Sequence, residues 1–118
     1  MRERAITIRS ADPAVRWRIA TGVVQRSTDG GSTWQSQDAG VTFQLVAGAS
    51  SSSTVCWIVG RRGTILLSTD GQSWRHVVFP EAVDLASVRA SSGESATVTT
   101  ADGRVFSTDD GGVTWTPN

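Results

Sequence analysis

The stretch Ser27-Thr28-Asp29-Gly30-Gly31-Ser32-Thr33-Trp34 reads as a polar turn that ends on an apolar anchor. Short Ser, Thr and Asp side chains hydrogen-bond the neighbouring backbone and favour turns over continued strand. The glycine pair admits the left-handed backbone that such a turn needs. Trp34 adds a large apolar surface, and its indole N–H requires a partner once buried. The pattern returns as Ser68-Thr69-Asp70-Gly71-Gln72-Ser73-Trp74, one residue shorter, and as Thr108-Asp109-Asp110-Gly111-Gly112-Val113-Thr114-Trp115. The three tryptophans stand 40 and 41 residues apart. A fixed period of that length marks a repeat protein.

Aligning on the boxes divides one domain, residues 1–118, into units at about 1–38, 39–79 and 80–118. Each unit holds four short strand candidates separated by turn signals. In the first these are 5–9, 15–20, 23–27 and 33–37, with Thr21-Gly22 as the hairpin between the middle two. In the second they are 42–47, 54–59, 64–68 and 73–79, with a loop from Gly48 to Ser53 and the hairpin Gly60-Arg61-Arg62-Gly63. In the third they are 84–90, 95–100, 104–107 and 113–116, with the turn Ala101-Asp102-Gly103. Ile19, Ile58 and Val98 align as one strand position across the units, and Val24, Ile65 and Val105 as another. No window keeps the spacing of an amphipathic helix. Four antiparallel strands every 40 or so residues is the arithmetic of a β-propeller blade, so the fold class is all-β, with three four-stranded blades of a partial propeller.

Composition narrows the function classes. Eleven basic residues balance eleven acidic ones, which leaves no electrostatic footprint for nucleic acid or an anionic membrane. No apolar run is long enough to cross a bilayer, and Met1-Arg2-Glu3-Arg4 leads into no apolar core of a signal peptide. The compartment stays open. Cys56 is the single cysteine and His76 the single histidine, too few for a metal set or a nucleophile with base and orienter. The glycine-rich turns lack the Lys-Ser/Thr and following helix of a phosphate loop. No cofactor is implied.

The boxes resemble the Asp-box, or bacterial neuraminidase repeat, of sialidases and other propellers. The wider pattern of strand, Gly-x-x-Gly, strand, Ser-Thr-Asp-Gly and Trp resembles the propellers of photosystem II assembly and stability factors and their bacterial relatives. The segment from Val55 to Trp74, with Phe79-Pro80-Glu81-Ala82-Val83-Asp84-Leu85 after it, is similar to C-terminal modules of bacterial proteins that carry an anti-sigma-type zinc-finger segment upstream, which would allow a membrane-anchored parent. The resemblance implies that the boxes are structural turns at the blade periphery: Ser27, Asp29, Gly31, Thr33 and Trp34; Ser68, Asp70, Gly71, Ser73 and Trp74; Thr108, Asp110, Gly112, Thr114 and Trp115. Sialidase chemistry would need a tyrosine nucleophile, and the chain has no tyrosine. Arginines such as Arg16, Arg61 and Arg89 do not supply that lack, and Glu3, Glu81 and Glu94 fall in turns or at the terminus.

Three blades are fewer than the four to eight of a closed propeller. Apolar side faces are therefore expected on the first and last blades, with ring closure by self-association: six blades from a homodimer in preference to nine from a trimer. Trp17 and Trp57 read as packing residues and Cys56 as a small buried hydrophobe. Arg61 and Arg62, at a hairpin tip, are the exposed pair fitted to an acidic partner. The resemblance to the assembly factors points the same way, since an arginine-rich face there meets client protein. The function expected is a non-catalytic scaffold or protein-interaction module, with its contact loops at the hairpins. The alternatives are a carbohydrate-binding or sialidase-like glycan-processing module, and an excised or engineered propeller fragment without activity of its own.

Overall fold

A computed structural model describes residues 6–20, 23–38 and 44–118. Among the described residues, twelve strands form three antiparallel sheets of four, each in sequence order. The first contains β1 (Ile6–Arg9), β2 (Arg16–Ala20), β3 (Val23–Ser27) and β4 (Gln35–Gln37). The second contains β5 (Leu45–Ala49), β6 (Cys56–Gly60), β7 (Ile65–Ser68) and β8 (Arg75–Val77), with a 3₁₀ turn over Arg61–Gly63 between β6 and β7. The third contains β9 (Leu85–Ala90), β10 (Ala96–Thr100), β11 (Val105–Thr108) and β12 (Thr116–Pro117). The expected hairpin Thr21-Gly22 and the start of the 42–47 strand lie outside the described residues.

Strand register defines the repeat. Arg16, Cys56 and Ala96 each pair with the first residue of their box, Ser27, Ser68 and Thr108. Counting onward, Trp17, Trp57 and Thr97 share the next position, and Arg18, Ile58 and Val98 the one after. The sequence reading that aligned Ile19 with Ile58 and Val98 is therefore off by one residue: Ile19 corresponds to Val59 and Thr99. The cause is a change of buried face. A strand's side chains alternate with period two. The first sheet buries Trp17, Ile19 and Val24. The third buries Ala96, Val98 and Phe106, the opposite set. The middle sheet buries every residue of β6 and β7, so its strands read as continuous apolar runs rather than alternating ones.

The faces meet in two separate cores. Ile8, Val15, Trp17, Ile19 and Val24 pack against Leu45, Cys56, Ile58 and Leu66 of the second sheet. From that sheet's other side, Trp57, Val59, Ile65, Leu67, Val77 and Phe79 pack against Leu85, Val88, Ala96, Val98 and Phe106. Fully burying one aliphatic or Phe side chain contributes about 1.5–3 kcal/mol, so each inter-sheet core is a substantial bond between neighbours. Phe79 stacks edge-on to Phe106 at 5.1 Å, and Trp57 and Phe79 meet Trp115 edge-on at 6.3 and 5.5 Å.

Three further expectations are corrected here. The outer faces of the end sheets are more polar than apolar. By register, the first presents Thr7, Arg9, Arg16, Arg18 and Gln25 beside Ala20 and Val23, with Arg18 over the Trp34 ring, and the third presents Ser87, Arg89, Thr97, Thr99 and Ser107 beside Val105. Alternating strands supply one apolar face only, and it is already used against the middle sheet. Gly48 and Ala49 lie in β5 rather than in a loop. A Cβ at position 48 would collide with the Ile8 side chain, so glycine permits the close approach of the first two sheets. The strands flanking the boxes are also shorter than read, because Thr33, Ser73 and Thr114 give their backbone N–H groups to box aspartates.

Candidate functional site

Successive turns of an antiparallel sheet lie at alternate ends. The β2–β3-type hairpins thus gather at one end and the boxes at the other. At the hairpin end, the Arg61–Gly63 turn leans on the connector between the second and third sheets. Gly63 donates its N–H to Val83 O at 2.6 Å, Arg62 its N–H to Asp84 Oδ1 at 3.1 Å, and Arg61 its N–H to Gln44 O at 3.0 Å. The neighbouring turn joins the same connector, with Ala101 N–H donating to Asp84 O at 2.8 Å. Gly63 has φ 70°, and a Cβ there would run into the Glu81 carbonyl oxygen. Arg62 has φ 58° and is the non-glycine residue with left-handed backbone among those described. Such a conformation costs on the order of 1–3 kcal/mol and persists where its surroundings over-determine it.

Around the two exposed arginines lie charges that the sequence reading did not join to them. Arg104 Nη1 meets Glu81 Oε2 at 2.8 Å, and its Nε meets Asp102 Oδ2 at 3.2 Å. The hydrogen bond to Glu81, then that to Asp102, raises the guanidinium's affinity for its proton further. Asp102 is held below the ordinary carboxylate value by the Thr100 hydroxyl and by Arg104. The Asp102-Gly103-Arg104 spacing could have flagged one of these contacts, since a tight turn brings its flanking residues together. Glu81 lies too far upstream for any local signal. The site is a mixed-charge rim: Arg61, Arg62 and Arg104 with Glu81, Asp84 and Asp102.

At the opposite end the boxes are knotted by their own side chains. Asp29 accepts from the Ser27 hydroxyl at 2.8 Å, from Thr33 N–H at 2.9 Å and from the Thr33 hydroxyl, while Gly31 N–H donates to Ser27 Oγ at 2.8 Å. The third box repeats this, with Thr108, Thr114 N–H and the Thr114 hydroxyl donating to Asp110 at 2.7, 2.9 and 2.6 Å, and Gly112 N–H to Thr108 Oγ1 at 2.9 Å. The shorter second box closes one residue sooner: Asp70 accepts from Gln72 and Ser73 N–H at 2.9 and 2.7 Å, and Gly71 N–H donates to Ser68 Oγ at 3.0 Å. These bonds favour the ionised carboxylate. They lower Asp29, Asp70 and Asp110 to about 2, with the Thr33 hydroxyl, the Ser73 N–H and the Thr114 hydroxyl as the respective leading causes.

The box tryptophans differ in their partners. Trp34 Nε1 donates to Gly31 O at 3.0 Å and Trp74 Nε1 to Gln37 Oε1 at 2.9 Å. Trp115 Nε1 is buried without a hydrogen-bond partner. Trp17 and Trp57 are fully buried, and Trp57 Nε1 donates to Ser92 O at 3.0 Å. Cys56 is enclosed among apolar neighbours, and burial pushes its thiol pKa well up. His76 lies exposed on β8. Among the described residues no three His, Cys, Asp or Glu side chains gather to hold a metal ion. A hollow of about 360 Å³ between the first two boxes is lined by Arg26, Asp38, hydroxyls and amides, with no aromatic platform among its lining residues.

Comparisons with known proteins agree with this architecture. A family profile described as photosynthesis system II assembly factor YCF48 (PSII_BNR) matches residues 8–118. A solved structure described as YCF48 bound to D1 peptide superposes with TM-score 0.81 at 23% identity, covering 97% of this chain and 43% of that one. A solved structure of YCF48 from Cyanidioschyzon merolae superposes with TM-score 0.79 at 26% identity, covering 90% of this chain and 36% of that one. The chain thus spans about two fifths of the length of these structures. No curated protein sequence matches.

Proposed function

Because the chain belongs to the photosynthesis system II assembly factor YCF48 family, we propose that it is a non-catalytic propeller scaffold that binds another protein at the hairpin end of its blades. The observation that carries this is the Arg61–Arg62 tip. Its backbone is held in an unfavourable conformation by hydrogen bonds to Gln44, Val83 and Asp84, although glycine at position 62 would adopt that conformation at less cost. A braced tip loses little freedom on binding, and that preorganisation favours affinity. One solved relative is described as bound to D1 peptide, which makes a peptide the natural first ligand for this chain too. In this scaffold the box residues serve as turn braces, with Asp29, Asp70 and Asp110 as the acceptors.

Titration of labelled D1 peptide against the chain, followed by fluorescence anisotropy, tests the reading. Arg61→Ala/Arg62→Ala is expected to weaken binding by about tenfold, the scale of one or two charge-assisted hydrogen bonds, with the β-sheet circular dichroism spectrum retained. Undiminished binding by that variant would remove the tip from the interface. Ring completion by a second copy would give six blades, and by three copies nine. Either would press Arg9, Arg16 and Arg18 of one copy against Ser87, Arg89, Thr97, Thr99 and Ser107 of the next. Such a contact desolvates arginines without carboxylates to receive them, so the scaffold proposed here needs one copy only.

A further inference from the structure

The turn Thr100-Ala101-Asp102-Gly103-Arg104, between β10 and β11, opens as a box and does not close as one. Its Thr100 hydroxyl donates to Asp102 Oδ1, and Arg104 N–H donates to Thr100 Oγ1 at 2.9 Å. Ser27, Asp29 and Gly31 make the same two bonds in the first box, and Thr108, Asp110 and Gly112 in the third. The boxes then add backbone donors. Thr33, Thr114 and, in the second box, Gln72 and Ser73 give their N–H groups to the aspartate. In the place of Thr33 and Thr114 this turn has Phe106, which is committed to β11 and to the core. Asp102 receives Arg104 Nε at 3.2 Å in their stead.

Four aspartates in the chain precede glycine: Asp29, Asp70, Asp102 and Asp110. Such a pair is chemically reactive, because glycine has no Cβ to keep its amide nitrogen from the preceding side-chain carboxyl. Reaction needs the two atoms aligned and within roughly 3–3.5 Å, so a carboxyl clamped away from that nitrogen is inert. Backbone N–H clamps move only with the whole turn, whereas a hydroxyl and a guanidinium rotate away singly. Arg104 also holds Glu81 at 2.8 Å, so it keeps a carboxylate partner when Asp102 leaves. The nucleophiles differ too. Gly30 and Gly111 give their N–H groups to Ala14 O and Glu94 O on separate loops, both at 2.9 Å, and Gly71 gives its own to the buried Ser68 hydroxyl at 3.0 Å. Gly103 N–H donates within its own turn, to Thr100 O at 3.0 Å. The Asp102 side chain is 61% exposed, and the space beside Gly103 is open. Exposed tips of this kind open at little cost.

We propose that the Asp102–Gly103 link is a site of spontaneous isomerisation to isoaspartate, reacting ahead of the three box aspartates that share its sequence. The Gly103 nitrogen attacks Asp102 Cγ. The Cγ–O bond of the protonated carboxyl breaks, and the nitrogen's proton leaves with that hydroxyl as water. Water then opens the resulting cyclic imide at the main-chain carbonyl carbon. The chain now runs through the former side chain, and the main-chain carboxyl is set free. One water leaves and one enters, so the step needs no co-reactant besides water. The product lengthens the hairpin by one methylene and carries its carboxylate away from Arg104, at the mixed-charge rim. Its bearing on a bound peptide rests on the proposed function; its occurrence does not.

The test incubates the full chain for weeks near neutral pH, folded and in urea, and locates isoaspartate by peptide mapping with electron-driven fragmentation. In the folded chain isoaspartate is expected to form at Asp102 about tenfold faster than at any box, the ratio that one net hydrogen bond of restraint gives. In urea the four sites are expected to converge, because the unfolded chain keeps no clamp. Arg104→Gln is expected to speed the reaction at Asp102 by about threefold, the scale of an exposed ion pair, and to leave the boxes unchanged. Equal rates at the four sites of the folded chain, a box reacting ahead of Asp102, or no isoaspartate at Asp102 would overturn the proposal.

Discussion

Gln37, on the outermost strand of the first blade, donates its amide to the carbonyl oxygen of Gly71 in the second blade's box at 2.7 Å. The same side chain accepts the indole N–H of Trp74. Arg75 repeats the reach one blade later, donating Nη2 to Gly111 O at 2.7 Å. Each blade is thus tied to the next box by a fourth-strand side chain, at the rim and outside the apolar cores.

Gln37→Ala removes both partners of that bridge and leaves a half-buried carbonyl and indole N–H to find water. A loss of about 1–2 kcal/mol is expected, read as a lower urea midpoint with an unchanged slope. A midpoint equal to that of the wild type would mean that the bridge contributes nothing.

Acid should loosen the boxes. Asp29, Asp70 and Asp110 have folded pKa values of about 2, against an ordinary 3.8. Between those values the unfolded chain binds more protons than the folded one, so stability rises with pH through this window. The contribution is fully present above about pH 4–5 and is lost as pH falls toward 2. Melting temperatures are expected to be flat near neutrality and to fall steeply below pH 4. Asp110→Asn should lower the neutral melting temperature and flatten the acid limb. An acid limb identical to that of the wild type would exclude this carboxylate as a brace.

Leu66 and Thr99 separate covered from uncovered sheet faces. Leu66 is fully buried in the core between the first two blades, and Leu66→Ala should cost about 2–5 kcal/mol. Thr99 points to the outer face of the third blade, and Thr99→Ala should stay within about 0.5 kcal/mol. Chemical denaturation of the two variants checks the difference. A comparable cost at Thr99 would mean that its face is covered.

Light scattering on the purified chain should return a monomer mass near 12.5 kDa, because arginines and hydroxyls outnumber apolar side chains on both outer faces and ring closure would have to desolvate them. A stable dimer would show that polar faces suffice to join blades here.

Much of this fold was legible because the boxes repeat both chemistry and spacing. Strand number, strand order and the two central hairpins follow from that period. The position of Arg18 was not legible. Sequence alignment favours matching Ile19 with Ile58, since both are apolar, and only the pairing of Arg16 with Ser27 reveals that the first blade buries the other face. Gly48 looked like the start of a loop because its reason for being glycine, the Ile8 side chain, lies on another sheet. The Arg104–Glu81 ion pair escaped for the same reason: two turns far apart in sequence meet only after the sheets stack.

The middle blade's burial on both sides bears on how the chain comes apart. Linear repeat arrays commonly fray from their ends, one unit at a time. Here either end blade, on leaving, uncovers one whole side of β6 and β7, where every residue is buried. That penalty couples the two end units through the central one. Amide hydrogens of Trp57, Ile58, Leu66 and Leu67 should therefore exchange only through global opening, at a common rate set by the stability of the entire chain.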